Sequence, residues 1–140
     1  MSRVLIVTGA GRGIGAATIE AVFRTNVYGT MHCCGAAIAA FRRHGTPGVI
    51  VNLSSVETFT TGLAREMAPE GIRVCAVAPG STLTGIHAAA GEPGRPERVA
   101  PAIPMGHLAT PDEIAEAVLW MLSPAASYVT GTTLRCAGGL

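Results

Sequence analysis

A short apolar run followed by a cluster of glycines, near the start of the sequence, most constrains the fold. Residues 4–8 are rich in branched side chains and have the length of a buried strand, and glycine then occupies positions 9, 11, 13 and 15. Helix-forming residues begin directly afterwards. The order predicts a strand, a tight glycine turn and the start of a helix.

Such a turn is suited to binding a phosphate group. Glycine has no Cβ atom and lets the backbone approach an anion closely, while the first N–H groups of the helix point at that anion. The pyrophosphate of a dinucleotide has the required shape and charge. The alternative interpretation is a glycine-rich turn that binds nothing.

Composition excludes several classes of protein. The chain has 140 residues, of which 49% are hydrophobic and 14% charged, and its net charge is +1. Neither disorder nor electrostatic binding of nucleic acid is expected from these values. The N-terminal apolar run is too short for a signal peptide, and no segment is long enough to span a membrane, so a cytoplasmic protein without membrane contact is predicted.

The four cysteines are expected to be reduced residues of the core. Cys33, Cys34, Cys75 and Cys136 show no C-x-x-C pair and no spacing typical of metal ligands. No metal site is therefore predicted. The length favours a single domain over residues 1–140.

The glycine turn resembles the Thr-Gly-x-x-x-Gly-x-Gly signature of the short-chain dehydrogenase/reductase family, with Thr8, Gly9, Gly13 and Gly15 at the matching positions. The resemblance implies a Rossmann-type, doubly wound parallel α/β sheet. It also implies hydride transfer between NADP or NAD and a carbonyl or secondary alcohol, as in 3-oxoacyl reductases and sugar-alcohol dehydrogenases. The implied coenzyme contacts of the turn are Gly9, Gly11, Arg12, Gly13, Ile14 and Gly15.

Arg12 bears on the choice between the two coenzymes. Its guanidinium could pair with a 2′-phosphate, which favours NADP slightly. As a solvent-exposed arginine it would not discriminate between them.

Later segments carry the same resemblance. Asn26 is implied to hold a water of the proton relay, and Ser55, at the end of the strand predicted over residues 48–54, is implied to polarise the substrate carbonyl. The strand predicted over residues 72–78 is followed by a segment similar to the family's Pro-Gly-x-Ile-x-Thr sequence. Contacts to the nicotinamide end of the coenzyme are implied for Pro79, Gly80, Thr82 and Thr84. Paired serines and a Pro-Gly turn without function are the alternatives.

The remaining segments predict helices, a flap and a last strand. Phe59, Leu63 and Met67 share one face of a predicted helix, and Thr110 begins another whose inward residues are Ile114, Val118, Met121 and Leu122. Residues 85–109 are expected to cover the substrate, with His87 and His107 at the surface. Residues 127–139 resemble the family's C-terminal ending, which implies a homotetramer or homodimer.

The family's catalytic Tyr-x-x-x-Lys is absent, because the chain contains no lysine. Family segments are missing near residues 19–23 and 55–58. One interpretation is that residues of a full-length reductase are omitted at those two places, and the other is a truncated, inactive relative that binds a dinucleotide. We favour omission, because a true deletion would remove the centre of the sheet.

A third class is a nucleotide-fold enzyme such as a methyltransferase, in which the glycine turn would bind another adenosyl ligand. The Pro79-Gly80 segment and the position of Ser55 argue against it.

Overall fold

The computed structural model describes residues 20–53 and 57–140, which form parts of two compact units, residues 1–44 and residues 45–140. The glycine turn and Ser55 lie outside the described residues. The two units are described separately below.

The described part of the first unit is helical. Residues 20–23 form an α-helical turn, Arg24–Tyr28 widen into a π-helical turn, and helix α1 follows over Gly29–His44. Three basic residues occupy the last turn of α1, where they complement the negative end of the helix dipole. Helix-forming residues follow the glycine turn in the sequence, and residues 20–44, which the structure describes, are helical.

The second unit contains a parallel sheet of three strands. They are β1 at Gly48–Leu53, β2 at Ile72–Pro79 and β3 at Thr133–Cys136, in the spatial order β1-β2-β3. Leu53 pairs with Val77, and Pro79 pairs with Cys136. The carboxyl ends of all three strands therefore lie at one end of the sheet, as the sequence predicts for a Rossmann-type fold.

Helices connect these strands. Helix α2 covers Glu57–Met67, α3 Ile86–Ala89, α4 Arg95–Val99 and α5 Pro111–Leu122, with short 3-10 turns at Ala68–Glu70, Ala100–Ala102 and Pro124–Ala126. Helix α2 packs on β2, and α5 packs on β1 and β2. Parallel neighbours need such crossover connections, which explains why a helix lies between β1 and β2 in the sequence.

The core is centred on β2. Cys75 and Val77 of this strand are fully buried and form one cluster with Ile114 and Met121 of α5. Burying this apolar surface supplies most of the driving force for folding. The central strand is β2 because it has a neighbour on each side, whereas β1 lies at one edge of the described sheet.

Three predictions about burial are corrected. The buried residues of α2 are Thr60, Ala64 and Met67, so the face that packs on β2 is rotated away from Phe59 and Leu63, which are half-buried. Leu122, at the end of α5, is 44% exposed. Cys33 is exposed, whereas Cys34 and Cys75 are buried and Cys136 is half-buried, and none of these four cysteines forms a disulfide.

Candidate functional site

The loop that follows β2 begins with a close contact between two strand ends. The Gly80 N–H donates to the Cys136 carbonyl oxygen over 2.7 Å. A Cβ atom on Gly80 would lie 2.7 Å from the Ala137 Cα atom, which is closer than such atoms approach in folded proteins. Glycine at position 80 is therefore required by the packing of β2 against the turn after β3.

The same loop is held from one side by the end of the flap. The Leu83 N–H donates to the Ala109 carbonyl over 2.8 Å, and the Ala109 N–H donates to the Ser81 carbonyl over 3.0 Å. These bonds make a short parallel bridge between Thr82 and Ala109. The Thr82 hydroxyl also donates to the Gly80 carbonyl, over 3.1 Å.

His87 holds the loop from its other side. Its Nε2 atom lies 3.1 Å from the Thr82 carbonyl oxygen. Because a carbonyl can only accept, Nε2 carries a hydrogen in this contact. His87 is half-buried, whereas the sequence predicts a surface residue. Only five positions separate it from Thr82, and this short separation is the one signal in the sequence that the two residues could be in contact.

The four residues predicted to contact the nicotinamide end of the coenzyme lie close together in the sequence and at one strand end. Pro79 is the last residue of β2, and Gly80, Thr82 and Thr84 lie in the loop that follows it, so all four are at the carboxyl end of this strand. In open α/β sheets the ligand crevice lies outside the carboxyl ends of the strands. The loop thus has the position expected of a ligand-contacting segment, and the roles of its residues stay predictions.

The other predicted site residues are placed differently. Asn26 lies in the π-helical turn of the first unit, where its carbonyl accepts the Thr30 hydroxyl over 3.1 Å. Ser55 lies outside the described residues, two positions after the end of β1. The coenzyme contacts Gly9, Gly11, Arg12, Gly13, Ile14 and Gly15 also lie outside them.

Two short helices, α3 and α4, form the flap over residues 85–109. Glu92 accepts from Arg95 over 3.4 Å and from Arg98 over 2.6 Å, which ties α4 to the turn before it. At the far end Ile103 is 4% exposed, and a Cβ atom on Gly138 would lie 2.7 Å from its Cγ2 atom. The end of the flap is therefore packed against the turn that follows β3.

A cavity of about 450 Å³ lies under this end of the flap. Its lining comes from the flap, the start of α5 and the residues around the end of β3, including His107, Glu113, Arg135 and Cys136. The Glu113 carboxylate accepts the Thr110 N–H over 2.7 Å, and this bond holds the pKa of Glu113 below its ordinary value. Burial raises the pKa of the Cys136 thiol.

The described residues contain neither a metal-binding cluster nor a membrane-spanning helix. Within residues 20–53 and 57–140, no group of three or more histidine, cysteine or carboxylate side chains is arranged to hold a metal ion. In the same ranges, no helix combines the length and the apolar character that a membrane-spanning segment needs.

Comparisons with known proteins agree with this arrangement. Residues 54–140 match the family model described as enoyl-(acyl carrier protein) reductase. The oxidoreductase YgfF of Escherichia coli K12 is 42% identical over 146 residues, which cover 89% of this chain and 59% of the relative.

Two solved structures are similar as well. The 3-ketoacyl-(acyl-carrier-protein) reductase of Brucella melitensis, complexed with NADH, superimposes with a TM-score of 0.77 at 30% identity, over 86% of this chain and 57% of that one. An Agrobacterium tumefaciens chain with bound NADP gives a TM-score of 0.78 at 28% identity, over 86% and 57%.

A parallel sheet with crossover helices and a polar loop at the carboxyl end of its central strand defines a Rossmann-type α/β protein. With the family match over residues 54–140, the chain belongs to the short-chain dehydrogenase/reductase family. It spans less than three fifths of the length of each of the three relatives.

Proposed function

We propose that this chain is the coenzyme-binding part of an oxidoreductase that transfers hydride between NAD(P)(H) and a carbonyl or secondary alcohol. The observation that carries the proposal is the loop over residues 79–84, fixed at the carboxyl end of β2 by bonds to Ala109, His87 and Cys136. Similar solved chains contain NADP or NADH, which supports a nicotinamide coenzyme.

The described residues fit such a group. The loop presents the hydroxyls of Thr82 and Thr84 next to backbone that is already held in place, and Thr84 is exposed. When bound, the nicotinamide supplies or accepts the hydride. The pyrophosphate is assigned to the turn that contains Gly9, Gly13 and Gly15, and Arg12 favours NADP slightly.

The reacting carbonyl needs a hydrogen-bond donor and a proton. Hydride arrival leaves negative charge on the carbonyl oxygen, which a nearby donor stabilises. Ser55 is proposed as that donor, and Asn26 as the residue that holds a water of the proton relay. The acid itself would be the family's tyrosine, whose pKa a lysine lowers, and both are absent from the 140 residues.

Under the omission hypothesis, the missing acid belongs to the segment omitted near residues 55–58, and strands of the sheet belong to the one omitted near residues 19–23. The alternative is a truncated relative that binds the coenzyme and does not turn over. An intact mass far above 14.2 kDa supports omission, whereas a mass of that value supports the truncated protein. The substrate is proposed to be a small carbonyl or alcohol, the assembly a homotetramer or homodimer, and the compartment the cytoplasm.

Equilibrium titration tests the coenzyme assignment. NADPH, NADH and S-adenosylmethionine are each titrated into the protein and followed by fluorescence or calorimetry. We expect saturable binding of a nicotinamide coenzyme and none of S-adenosylmethionine. Binding of S-adenosylmethionine alone would favour the methyltransferase class and overturn the proposal.

A matched pair of variants makes the result specific. Gly13→Asp adds a side chain and a negative charge to the proposed phosphate turn, and we expect it to weaken NADPH binding at least about tenfold. Gly94→Asp adds the same group in the flap, where a Cβ atom has no neighbour within 4 Å, and binding should be unchanged. Equal effects of the two substitutions would contradict the assignment of the turn.

A further inference from the structure

The cavity beneath the flap has the size and the apolar wall of a small-molecule site. Its volume of about 450 Å³ falls within the range of cavities that bind small organic molecules. Ile103 and Ile114 line it and are 4% and 6% exposed. Of the loop over residues 79–84 only Ser81 lines the cavity, whereas Pro79, Gly80, Thr82 and Thr84, the residues assigned to the coenzyme, do not.

The charged and titratable residues of the lining differ in how many hydrogen bonds they already make. Glu113 already accepts two bonds from Thr110, at 2.7 and 3.2 Å, and lies in the first turn of α5, where the positive end of the helix offsets part of its charge. His107 contributes its Nδ1 hydrogen to the Leu108 carbonyl over 2.9 Å, which leaves Nε2 for another partner.

Arg135 differs from both. It projects from the exposed side of β3 and makes no hydrogen bond or ion pair with any residue in the described part of the chain. Its planar guanidinium can donate two parallel hydrogen bonds to a carboxylate. A guanidinium without a partner, beside an apolar cavity, is suited to binding an anion that carries a hydrocarbon chain.

We propose that this cavity binds a short-chain organic carboxylate, with its carboxylate on Arg135 and its alkyl chain against Ile103 and Ile114. Each methylene group that enters the cavity leaves water and adds to the affinity. A neutral alcohol of the same length would leave Arg135 without a partner, and an alkylammonium ion would be repelled by it. The site goes beyond the proposed hydride transfer and does not depend on a bound coenzyme.

The rate at which iodoacetamide alkylates the cysteines measures whether the cavity is occupied. Cys136 lines the cavity and is a free, half-buried thiol, whereas Cys33 is exposed in the other unit and serves as an internal control. The full chain is treated with iodoacetamide at mildly alkaline pH with increasing hexanoate, hexan-1-ol or hexylammonium, and modification of each cysteine is quantified by peptide mass spectrometry. Isothermal calorimetry with hexanoate is run on the same samples.

Hexanoate is expected to slow modification of Cys136 and not that of Cys33, at a concentration about tenfold lower than hexan-1-ol requires. Hexylammonium should give no protection. Arg135→Met keeps an apolar chain of similar length and should reduce protection by hexanoate to the level of hexan-1-ol. Arg65→Met, which removes an exposed arginine from α2 and outside the lining, should leave hexanoate protection unchanged.

Three results would overturn the proposal. They are equal protection by hexanoate and hexan-1-ol, unchanged hexanoate protection in Arg135→Met, and no hexanoate binding heat together with no protection. The first would show an apolar cavity without selectivity for carboxylates. The second would show that another residue holds the anion.

Discussion

Two neighbouring threonines of α2 differ in the bonding of their hydroxyl groups. Thr60 is fully buried, and its hydroxyl has no hydrogen-bond partner among the described residues. The Thr61 hydroxyl donates to the Gly131 carbonyl over 3.2 Å and so links α2 to the turn before β3. A buried hydroxyl without a partner lowers stability, whereas a satisfied one contributes to it.

Valine substitutions should therefore have opposite effects at these positions. Thr60→Val removes the unsatisfied hydroxyl at nearly constant volume and should raise the free energy of unfolding by about 1 kcal/mol. Thr61→Val leaves the Gly131 carbonyl unpaired and should lower that free energy by about 1 kcal/mol. Urea denaturation of both variants checks the signs, and a lower stability of Thr60→Val would contradict the bonding described here.

Gly80 offers a second test on a single residue. Gly80→Ala places its new methyl group 2.7 Å from the Ala137 Cα atom, so backbone must move, and a loss of about 1–3 kcal/mol is expected. Gly85→Ala is the matched control, because a Cβ atom there has no neighbour within 4 Å and its φ is −65°. Thermal denaturation should separate the two variants, and an equal melting temperature would refute the close contact.

At these positions the sequence predicts the local pattern but not the distant residues that contact it. The Pro79-Gly80 pair is visible in the sequence, but the reason for the glycine is Ala137, which lies 57 positions away and meets it only because β3 pairs with β2. The periodicity of Phe59, Leu63 and Met67 predicts the helix correctly. It does not predict that Thr60 faces β2, because the rotation of a helix is set by the strand it packs on.

The start of α5 is an element that its own sequence determines. Thr110 and Glu113 form a reciprocal capping box, in which the Glu113 N–H donates to the Thr110 hydroxyl and the Thr110 N–H donates to the Glu113 carboxylate. Both partners lie within four residues, so the pattern predicts the structure without tertiary information. The prediction of this helix start is confirmed.

The capping box also predicts a dependence on pH. Bonds from Thr110 lower the pKa of Glu113 from its ordinary value of 4.5, so the carboxylate adds stability above that value. This contribution is lost as the pH falls through the lowered folded pKa. The stability difference between the wild type and Glu113→Gln should thus shrink between neutral pH and about pH 3.

Chemical denaturation at several pH values measures that difference. Glu116→Gln changes an exposed glutamate on the same helix and should show no comparable trend. A constant gap between the wild type and Glu113→Gln across the range would contradict the role of the carboxylate.

Arg73 connects elements that local sequence cannot relate. Its guanidinium donates to the carbonyls of Met121, Ser123 and Val129 over 2.9, 3.4 and 3.1 Å, and so ties the end of α5 and the following turn to β2. These partners are at least 48 residues away. Sequence reasoning therefore missed this arginine.

Loss of the Arg73 guanidinium should destabilise the second unit. Arg73→Met leaves carbonyls without their charged donor and should lower the free energy of unfolding by about 2–3 kcal/mol. Arg73→Lys should recover only part of the loss, because a single ammonium group lacks the planar set of N–H donors with which the guanidinium contacts three carbonyls. In Arg65→Met the change should stay within about 0.5 kcal/mol, and a similar loss in all three variants would show a general effect of removing arginine.

At the scale of the whole molecule, two segments that are distant in the sequence are proposed to contact one coenzyme. The parallel sheet was predictable, because alternating strands and helices restrict a chain to that arrangement. The cavity beneath the flap was not, since its walls come from residues 81 to 140 that meet only in the folded unit. The glycine turn and the loop over residues 79–84 are the two proposed contacts of the coenzyme.

Hydrogen–deuterium exchange with and without saturating NADPH tests this claim most directly. We expect slower exchange in peptides that contain residues 9–15 and in those that contain residues 79–84, with no comparable change in α5. Slowing confined to other segments, or slowing of the glycine turn without the loop after β2, would contradict it.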